Sequence, residues 1–519
     1  MSETRGRVTG ATGDGAPGAG ATGAGATGAE QAPAAAPGGG SALTIEANGL
    51  NVIAEGERKG RPSDLFWPWC ASNISVFGVS WGAFVLGFGL SLGQALLAGV
   101  LGAVLSFLLV GLVSIAGKRG SAPTLVLSRA PFGIRGNLVP GVVSYLLLVG
   151  WEIVLVALAT LATATVFGRL GWSDGTLTKV VAFLVVAAVI VAAGILGFDA
   201  IMKLQKWLTV FTIVATVIYI ALTLDHIDLG TAGGLPGGSA TAVIGALIMV
   251  LTGFGIGWVN CAADYSRYLP RTASTGGVVG WSTFGASLPV VVLIVYGILL
   301  CASDPAFTEA VTADPIGALT TLLPTWYLVP FALVAVAGLI SGAVLDIYSS
   351  GLTLLAIGLP APRWVAAAID GVLMVLGTIY VVWVAENFFY PFQGFLITLG
   401  VLMAAWCGIF LADLALRRRP YEEAKLFDAR LAGGYGAVRW DALGVLGVSA
   451  FLGWGLVTNT YAGWLDWQGY LLGPFGLGGR QGDWAYSALG VLVALLVGFG
   501  GYLLLGARAV RRQEAQPVG

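Results

Sequence analysis

Apolar runs of about 20 residues recur from one end of this chain to the other, each long enough to cross a hydrocarbon layer of ~30 Å as a helix. They fall at 68–93, 94–117, 138–168, 177–198, 203–224, 242–263, 280–302, 327–357, 363–384, 388–412, 440–461 and 485–506. In lipid a backbone must pair its own N–H and C=O groups, so such runs have to be helices. The pattern predicts an all-α integral membrane protein with 12 transmembrane helices. Only 10% of the 519 residues are charged and the mean hydropathy is +0.87, which leaves too little charge to cover a water-facing surface.

The basic residues orient the bundle. Of 26 Lys and Arg, only Arg169, Lys179 and Arg480 fall outside the N-terminal tail, the even-to-odd loops and the C-terminus. Loops on the other side carry Asp225, Asp228, Asp304, Glu309, Asp314, Asp466 and Asp483. By the positive-inside rule both termini are expected in the cytoplasm of a multi-pass protein of the cell membrane. Residues 1–45 are low-complexity Gly, Ala, Thr and Pro without the basic start and apolar core of a signal peptide. The expected organisation is a disordered cytoplasmic tail (1–62), a ten-helix core (63–412), a cytoplasmic loop (413–439), helices 11 and 12 (440–506) and a short cytoplasmic tail (507–519).

Other function classes find little support. The four Cys (70, 261, 301, 407) are scattered without a CxxC pair, and His226 is the single histidine, so neither a disulfide framework nor a His metal cluster is expected. Gly253-x-Gly255 lacks the third glycine of a dinucleotide fingerprint, since Trp258 stands there, and no GxxxxGK[ST] occurs. No basic patch with interleaved aromatics suggests nucleic acid. The expected partners are a small-molecule substrate and the bilayer, with a monomeric chain, no cofactor and no enzyme chemistry.

Polar groups inside spans are costly, and each is a functional candidate. They concentrate in four spans. The first holds Ser72, Asn73, Ser75 and Ser80, and the third holds Trp151 and Glu152 near its middle. The sixth holds Gly253-Phe-Gly-Ile-Gly-Trp258 and Asn260, and the eighth holds Ser341, Asp346, Ser349 and Ser350. Spans 2, 4, 5 and 7 read as far blander. The first and sixth spans both cluster small and polar residues at mid-run and lie five spans apart. That is the pattern of an inverted repeat (68–224 and 242–412) whose first helices are broken to expose backbone to a ligand, although close helix packing would ask for the same glycines. Glu152 reads equally as a carboxylate bonded to a neighbouring helix, a substrate acceptor or a proton carrier. Trp151 is poorly placed for an interfacial belt and suits stacking on a planar ligand. Asp370, in the ninth span, reads as structural, and Asp413 beside Arg417 as an interfacial ion pair.

Five ordered motifs carry a resemblance. Gly117-Lys-Arg-Gly-Ser-Ala-Pro-Thr-Leu-Val-Leu-Ser-Arg-Ala-Pro-Phe-Gly133 is similar to the loop after helix 2 of the nucleobase:cation symporter-1 family, the purine–cytosine permeases. Gly150-Trp151-Glu152 resembles its helix-3 motif, and Gly253–Trp258 with Ala262-Ala-Asp-Tyr-Ser-Arg-Tyr-Leu-Pro270 its helix-6 segment. Ile347–Leu352 resembles helix 8, and Phe395, Gly400, Trp406 and Asp413 resemble helix 10. The resemblance spans roughly residues 45–510.

It implies a LeuT-like fold: a 5+5 inverted repeat plus two C-terminal helices. It also implies Na⁺- or H⁺-coupled uptake of a planar heterocycle, cytosine or a purine first, by alternating access. Hydantoin or allantoin, a thiamine-precursor pyrimidine, or a sensor or channel on the same scaffold are the alternatives. Carried over, Trp151 is the stacking platform, and Phe254 or Trp258 the opposing aromatic. Gly255 and Gly257 expose backbone, Ser72 and Asn73 line the helix-1 side, and Glu152 and Asp346 are polar contacts. A Na⁺ site would fall near Ala337 and Ser341, with hard oxygen ligands. Three departures stand out. Leu155 occupies a position where many relatives have Asn or Gln, Asp346 falls where fungal relatives have Asn, and Ser341 is a single hydroxyl where Na⁺-dependent relatives often have two.

Overall fold

The computed structural model describes residues 49–385, 389–430, 434–459 and 463–515. The expected disordered tail lies outside the described residues up to position 48; the described residues belong to one compact helical unit.

The first apolar run is two helices, α1 (Phe66–Asn73) and α2 (Phe77–Leu86), bent by 68° at the break. The cause is local. Ser72 Oγ and Asn73 Nδ2 both donate to the Trp69 carbonyl, at 3.1 and 2.9 Å, so side chains compete for the acceptor that would continue the helix. Ile74 then leaves helical geometry with ψ 86°. Uninterrupted runs follow: α3 (Leu92–Gly120), α4 (Leu138–Arg169), α5 (Thr176–Leu196) and α6 (Phe198–Thr223). The sixth span starts as α7 (Ala240–Gly253), breaks at Phe254 (φ −110°, ψ −97°) and continues in short turns to Ser266. Then come α8 (Thr275–Ser303), α9 (Leu328–Ala356), α10 (Arg363–Trp383), α11 (Phe389–Leu416), α12 (Trp440–Gly455) and α13 (Leu489–Ala515).

Among the described residues ten helices are long and apolar enough to cross a membrane, and the bent α1–α2 pair makes eleven. The expectation of twelve is not reached among the described residues, because the run at 440–461 yields only the 16 residues of α12. Beyond it the polar chain turns back on α11. Asn459 donates to the Gly394 carbonyl at 2.9 Å and Gln468 to Thr398 Oγ1 at 3.0 Å. A second difference concerns residues 49–61, expected within the disordered tail. Ile53 is fully buried with its N–H on the Ser121 carbonyl, and Arg267 donates to the Gly49 carbonyl at 2.9 Å. Ile53, with Leu50 and Val52 packed beside it, and backbone pairing hold this segment against the basic end of the bundle.

Packing is closest where glycines meet. A Cβ on Gly82 of α2 would stand 2.1 Å from the Gly297 carbonyl carbon of α8, and one on Gly297 1.9 Å from the Val79 carbonyl oxygen. The backbones touch, as small residues allow in lipid. Outward, α5, α6 and α10 present Leu184, Val185, Val214, Val217 and Leu376, the apolar skin a bilayer covers. The pair expected to be interfacial is buried: Arg417 clamps Asp413 at 2.8 and 3.0 Å and also donates to Gln513 Oε1, while Tyr502 donates to Asp413 Oδ1, joining α11 to α13.

Two outcomes follow for detergent-solubilised protein. Gly82→Ala pushes α2 off α8 and lowers the melting temperature, whereas Gly444→Ala on α12, with nothing within 4 Å of the new methyl, leaves it unchanged. Asp413→Ala strands the Arg417 cation in a buried site and destabilises by about 3–5 kcal/mol, read as a lowered Tm.

Candidate functional site

The two helix breaks face one another across a cavity of about 60 Å³. Of the residues singled out in the sequence, Ser72, Asn73, Trp151, Phe254, Trp258 and Asp346 line it. Asn73 Nδ2 also donates to Ser72 Oγ at 2.9 Å, so the α1 break presents an already ordered polar edge. Asp346, on α9, is buried and its Oδ2 has no hydrogen-bond partner. A hydrogen-bond acceptor thus stands beside an aromatic slot.

The aromatic walls come from three helices. Trp151 rises from α4. Phe254, freed from helical geometry, lies 4.6 Å centroid to centroid from Trp81 of α2 and 6.1 Å from Phe107 of α3. Trp258 meets Trp69 edge-on at 5.9 Å. Gly253 is glycine for a reason of space: a Cβ there would stand 2.0 Å from the Trp81 ring. The freed backbone is also provided for, since Gly255 N–H donates to Ser106 Oγ at 3.1 Å. Gly255 therefore packs on α3 and does not line the cavity. Gly257 sits behind Trp151, whose Nε1 would be 3.0 Å from an added Cβ.

Glu152 turns away from the cavity. It is fully buried towards α9 and α10, where Ser350 donates to its Oε1 at 2.8 Å. Neighbours in a helix point about 100° apart, so Trp151 and Glu152 serve different faces of α4. Ser341 also lies off the cavity; its hydroxyl donates to the Ala71 carbonyl at 2.6 Å, and Gln205 of α6 donates to the Ser341 carbonyl at 2.7 Å. Its other contact, to Gln205 Oε1, is shorter still. Oxygens expected to hold Na⁺ are thus engaged by protein hydrogen bonds, and Ala337, half-buried one turn earlier, shares none of them. Among the described residues no three His, Cys, Asp or Glu group as a metal site.

Two residues escaped the sequence reading. Trp81 is one aromatic among many, and only the bend at residues 73–77 turns it onto Phe254. Gln205 corrects the view of the fifth span as bland: a fully buried carboxamide in an apolar run was the signal.

A larger opening of about 530 Å³, lined by Phe84, Phe88, Met249, Leu396 and Tyr486, shares Gly253 with the small cavity and lies towards the acidic end. At the basic end the way is shut. Arg267, fully buried, donates to Tyr348 at 2.9 Å and to Tyr268 at 3.0 Å, and Tyr268 stacks on Phe198 at 4.2 Å. Thr124 of the 117–133 loop donates twice to Asp264 Oδ1, at 2.7 and 2.8 Å, tying that loop to the end of the broken sixth span.

Comparison with known proteins agrees with this architecture. The profile of the family described as "Permease for cytosine/purines, uracil, thiamine, allantoin" matches residues 52–467. The "Putative purine-cytosine permease YxlA" of Bacillus subtilis (strain 168) is 24% identical over 411 residues, 77% of this chain and 85% of that protein. The purine-cytosine permease FCY2 of Saccharomyces cerevisiae is 23% identical over 263 residues, about half of either chain (50% and 48%). Among solved structures, Mhp1, a nucleobase-cation-symport-1 family transporter in a closed conformation with bromovinylhydantoin bound, superposes with a TM-score of 0.65 at 19% identity. That superposition covers 92% of this chain and all of Mhp1, and the two share a fold. The chain belongs to the nucleobase:cation symporter-1 family, the permeases for cytosine and purines, uracil, thiamine and allantoin.

Proposed function

We propose that this protein is a secondary active transporter that takes up a planar nucleobase-type heterocycle, cytosine or a purine, coupled to a cation. The observation that carries this is the slot between Trp151 and the Phe254–Trp81 pair, with Asn73 and Asp346 at its edge. Flat aromatic walls suit a flat ring and give little to a flexible chain. Hydrogen-bonding groups at the slot's edge then sort one ring from another, because a wrong edge leaves buried polar groups unpaired.

In this reading Trp151 is the platform and Phe254 the facing aromatic, with Trp258 completing the wall. Ser72 and Asn73 read one edge of the ring and Asp346 accepts a ring N–H. Gly257 lets the Trp151 ring sit close, and Gly255 anchors the break to α3. In the same reading the short α12 counts as a twelfth span, giving two inverted repeats plus two further helices, with both termini in the cytoplasm of the cell membrane. The larger opening is the route from outside, and the Arg267–Tyr348–Tyr268 cluster is the closed inner side. Alternating access opens one as it shuts the other. The coupling cation is Na⁺ or H⁺.

The test is uptake and counterflow of labelled cytosine, adenine, hypoxanthine and hydantoin in proteoliposomes. Trp151→Ala is expected to weaken apparent affinity by roughly 5- to 150-fold, the ~1–3 kcal/mol of one base stacked on an aromatic ring. Wild-type affinity in that variant would remove the stacking assignment. Flux that neither saturates nor depends on an ion gradient would mark a channel instead.

A further inference from the structure

We infer that the buried cluster of Glu152, Ser350 and Asp370 is the site where this transporter holds its coupling proton, apart from the heterocycle slot. The inference rests on the transport reading above and names the ion and the groups that carry it.

Three helices meet there. Glu152 comes from α4, Ser350 from α9 and Asp370 from α10, and all three side chains are fully buried. Ser350 Oγ stands 2.8 Å from Glu152 Oε1 and closer still to Asp370 Oδ2. A hydroxyl has one hydrogen and can donate to only one carboxylate. With both acids ionised, the other contact sets lone pair against lone pair. One added proton resolves this: a protonated Asp370 donates to Ser350 Oγ, and Ser350 donates to the Glu152 carboxylate. Both contacts of Ser350 then have a hydrogen, and one negative charge is removed from a buried site.

Other observations point the same way. Glu152 Oε2 and Asp370 Oδ1 have no hydrogen-bond partner. Tyr145, on the helix of Glu152 and only 9% exposed, turns its hydroxyl towards Asp370 and makes no hydrogen bond of ordinary geometry. The remaining titratable group facing the pair is Asp346, on the helix of Ser350, a third acid. Among the described residues no cation compensates them. Arg363, on the helix of Asp370, points its guanidinium at the Gly194 and Ile195 carbonyls and the Tyr348 ring. Lys179 lies at the start of α5, and Arg417 on α11 is clamped to Asp413. Three acids without a paired cation in an apolar bundle call for protons.

The cluster is also wired to the slot. Trp151 and Glu152 are consecutive on α4, and Asp346 and Ser350 are one turn apart on α9. A proton that joins α4, α9 and α10 through Ser350 therefore acts on the two helices that carry the platform and the acceptor. In the cycle a proton enters from the outer side onto the carboxylate pair, travels with the loaded slot, and leaves to the cytoplasm as the pair is again ionised.

The experiment uses full-length protein in Na⁺-free proteoliposomes. It compares counterflow of labelled cytosine or hypoxanthine, accumulation driven by an inward proton gradient, and substrate-evoked proton uptake. Wild type is expected to show all three. Asp370→Asn, whose amide cannot release a proton, is expected to keep counterflow while accumulation and proton uptake fall at least tenfold; Asp370→Glu is expected to restore both. Gradient-driven accumulation at wild-type level in Asp370→Asn overturns the inference, as does its loss of counterflow with an unchanged melting temperature. If Asp370→Asn does not fold, Ser350→Ala decides: a shifted pH profile of accumulation supports the relay, and an unchanged profile overturns it. Wild-type vesicles that exchange no heterocycle would defeat the transport reading itself, whereas exchange indifferent to the proton gradient defeats only the proton site.

Discussion

Lipid offers no hydrogen bonds, so every backbone group released inside the bundle must find a partner within the protein. The rest of this structure depends on how two interrupted helices meet that demand. At the α1–α2 break the side chains of Ser72 and Asn73 bond the Trp69 carbonyl. At the α7 break Ser106 of α3 receives the Gly255 N–H. Backbone pairs close both breaks as well, with Gly78 N–H on the Ser75 carbonyl and Gly257 N–H on the Phe254 carbonyl. The slot lies between the two breaks, lined by Ser72 and Asn73 of one and Gly253 and Phe254 of the other. Its walls are aromatic because rings such as Trp81 and Phe254 fill the space beside a broken helix without adding polar groups to be paired.

The position of that slot was legible in the sequence because a break needs unusual composition. Ser72-Asn73 and Gly253-x-Gly255-x-Gly257 interrupt apolar runs, and the structure interrupts the helices at those points. The positions of most spans were legible although their ends were not, and the reading failed at 440–461, where hydropathy continues past Gly455 but Asn459 and Gln468 bond back to α11. Periodicity reports how apolar a stretch is and says nothing about the tertiary acceptors that pull it out of line. The same limit hid residues 49–61, whose place depends on Ile53 and on the distant Arg267. Trp81 and Gln205 were missed because their importance lies in which way a neighbouring helix turns them.

The motifs that carry the family resemblance do two kinds of work. Thr124, in the 117–133 loop, accepts the Ala263 N–H and donates to Asp264, and Trp406 of α11 donates to Ser128 of the same loop. These residues tie α3, the sixth span and α11 together beneath the slot and touch no part of it. A matching signature therefore speaks to the scaffold. The slot itself is lined by other groups, Asn73 and Asp346 among them.

The adjacency of Trp151 and Glu152 gives one helix two distinct faces. Because consecutive helical side chains diverge by about 100°, the tryptophan faces the slot while the glutamate faces α9 and α10. The pairing of Asp346 and Ser350 on α9 repeats the arrangement one turn apart, so two helices each carry one group to the slot and one to the acid cluster. Packed interiors rearrange between discrete states, because they are too dense to deform continuously. In the proposed cycle, a change in hydrogen count at Ser350 would reach the slot as a shift of α4 against α9. Coupling of this kind is reciprocal: whatever free energy the proton adds to ring binding, the ring adds to proton binding. A heterocycle that fits the slot loosely would then draw little proton affinity from the cluster, and selectivity for the ring and tightness of coupling would vary together.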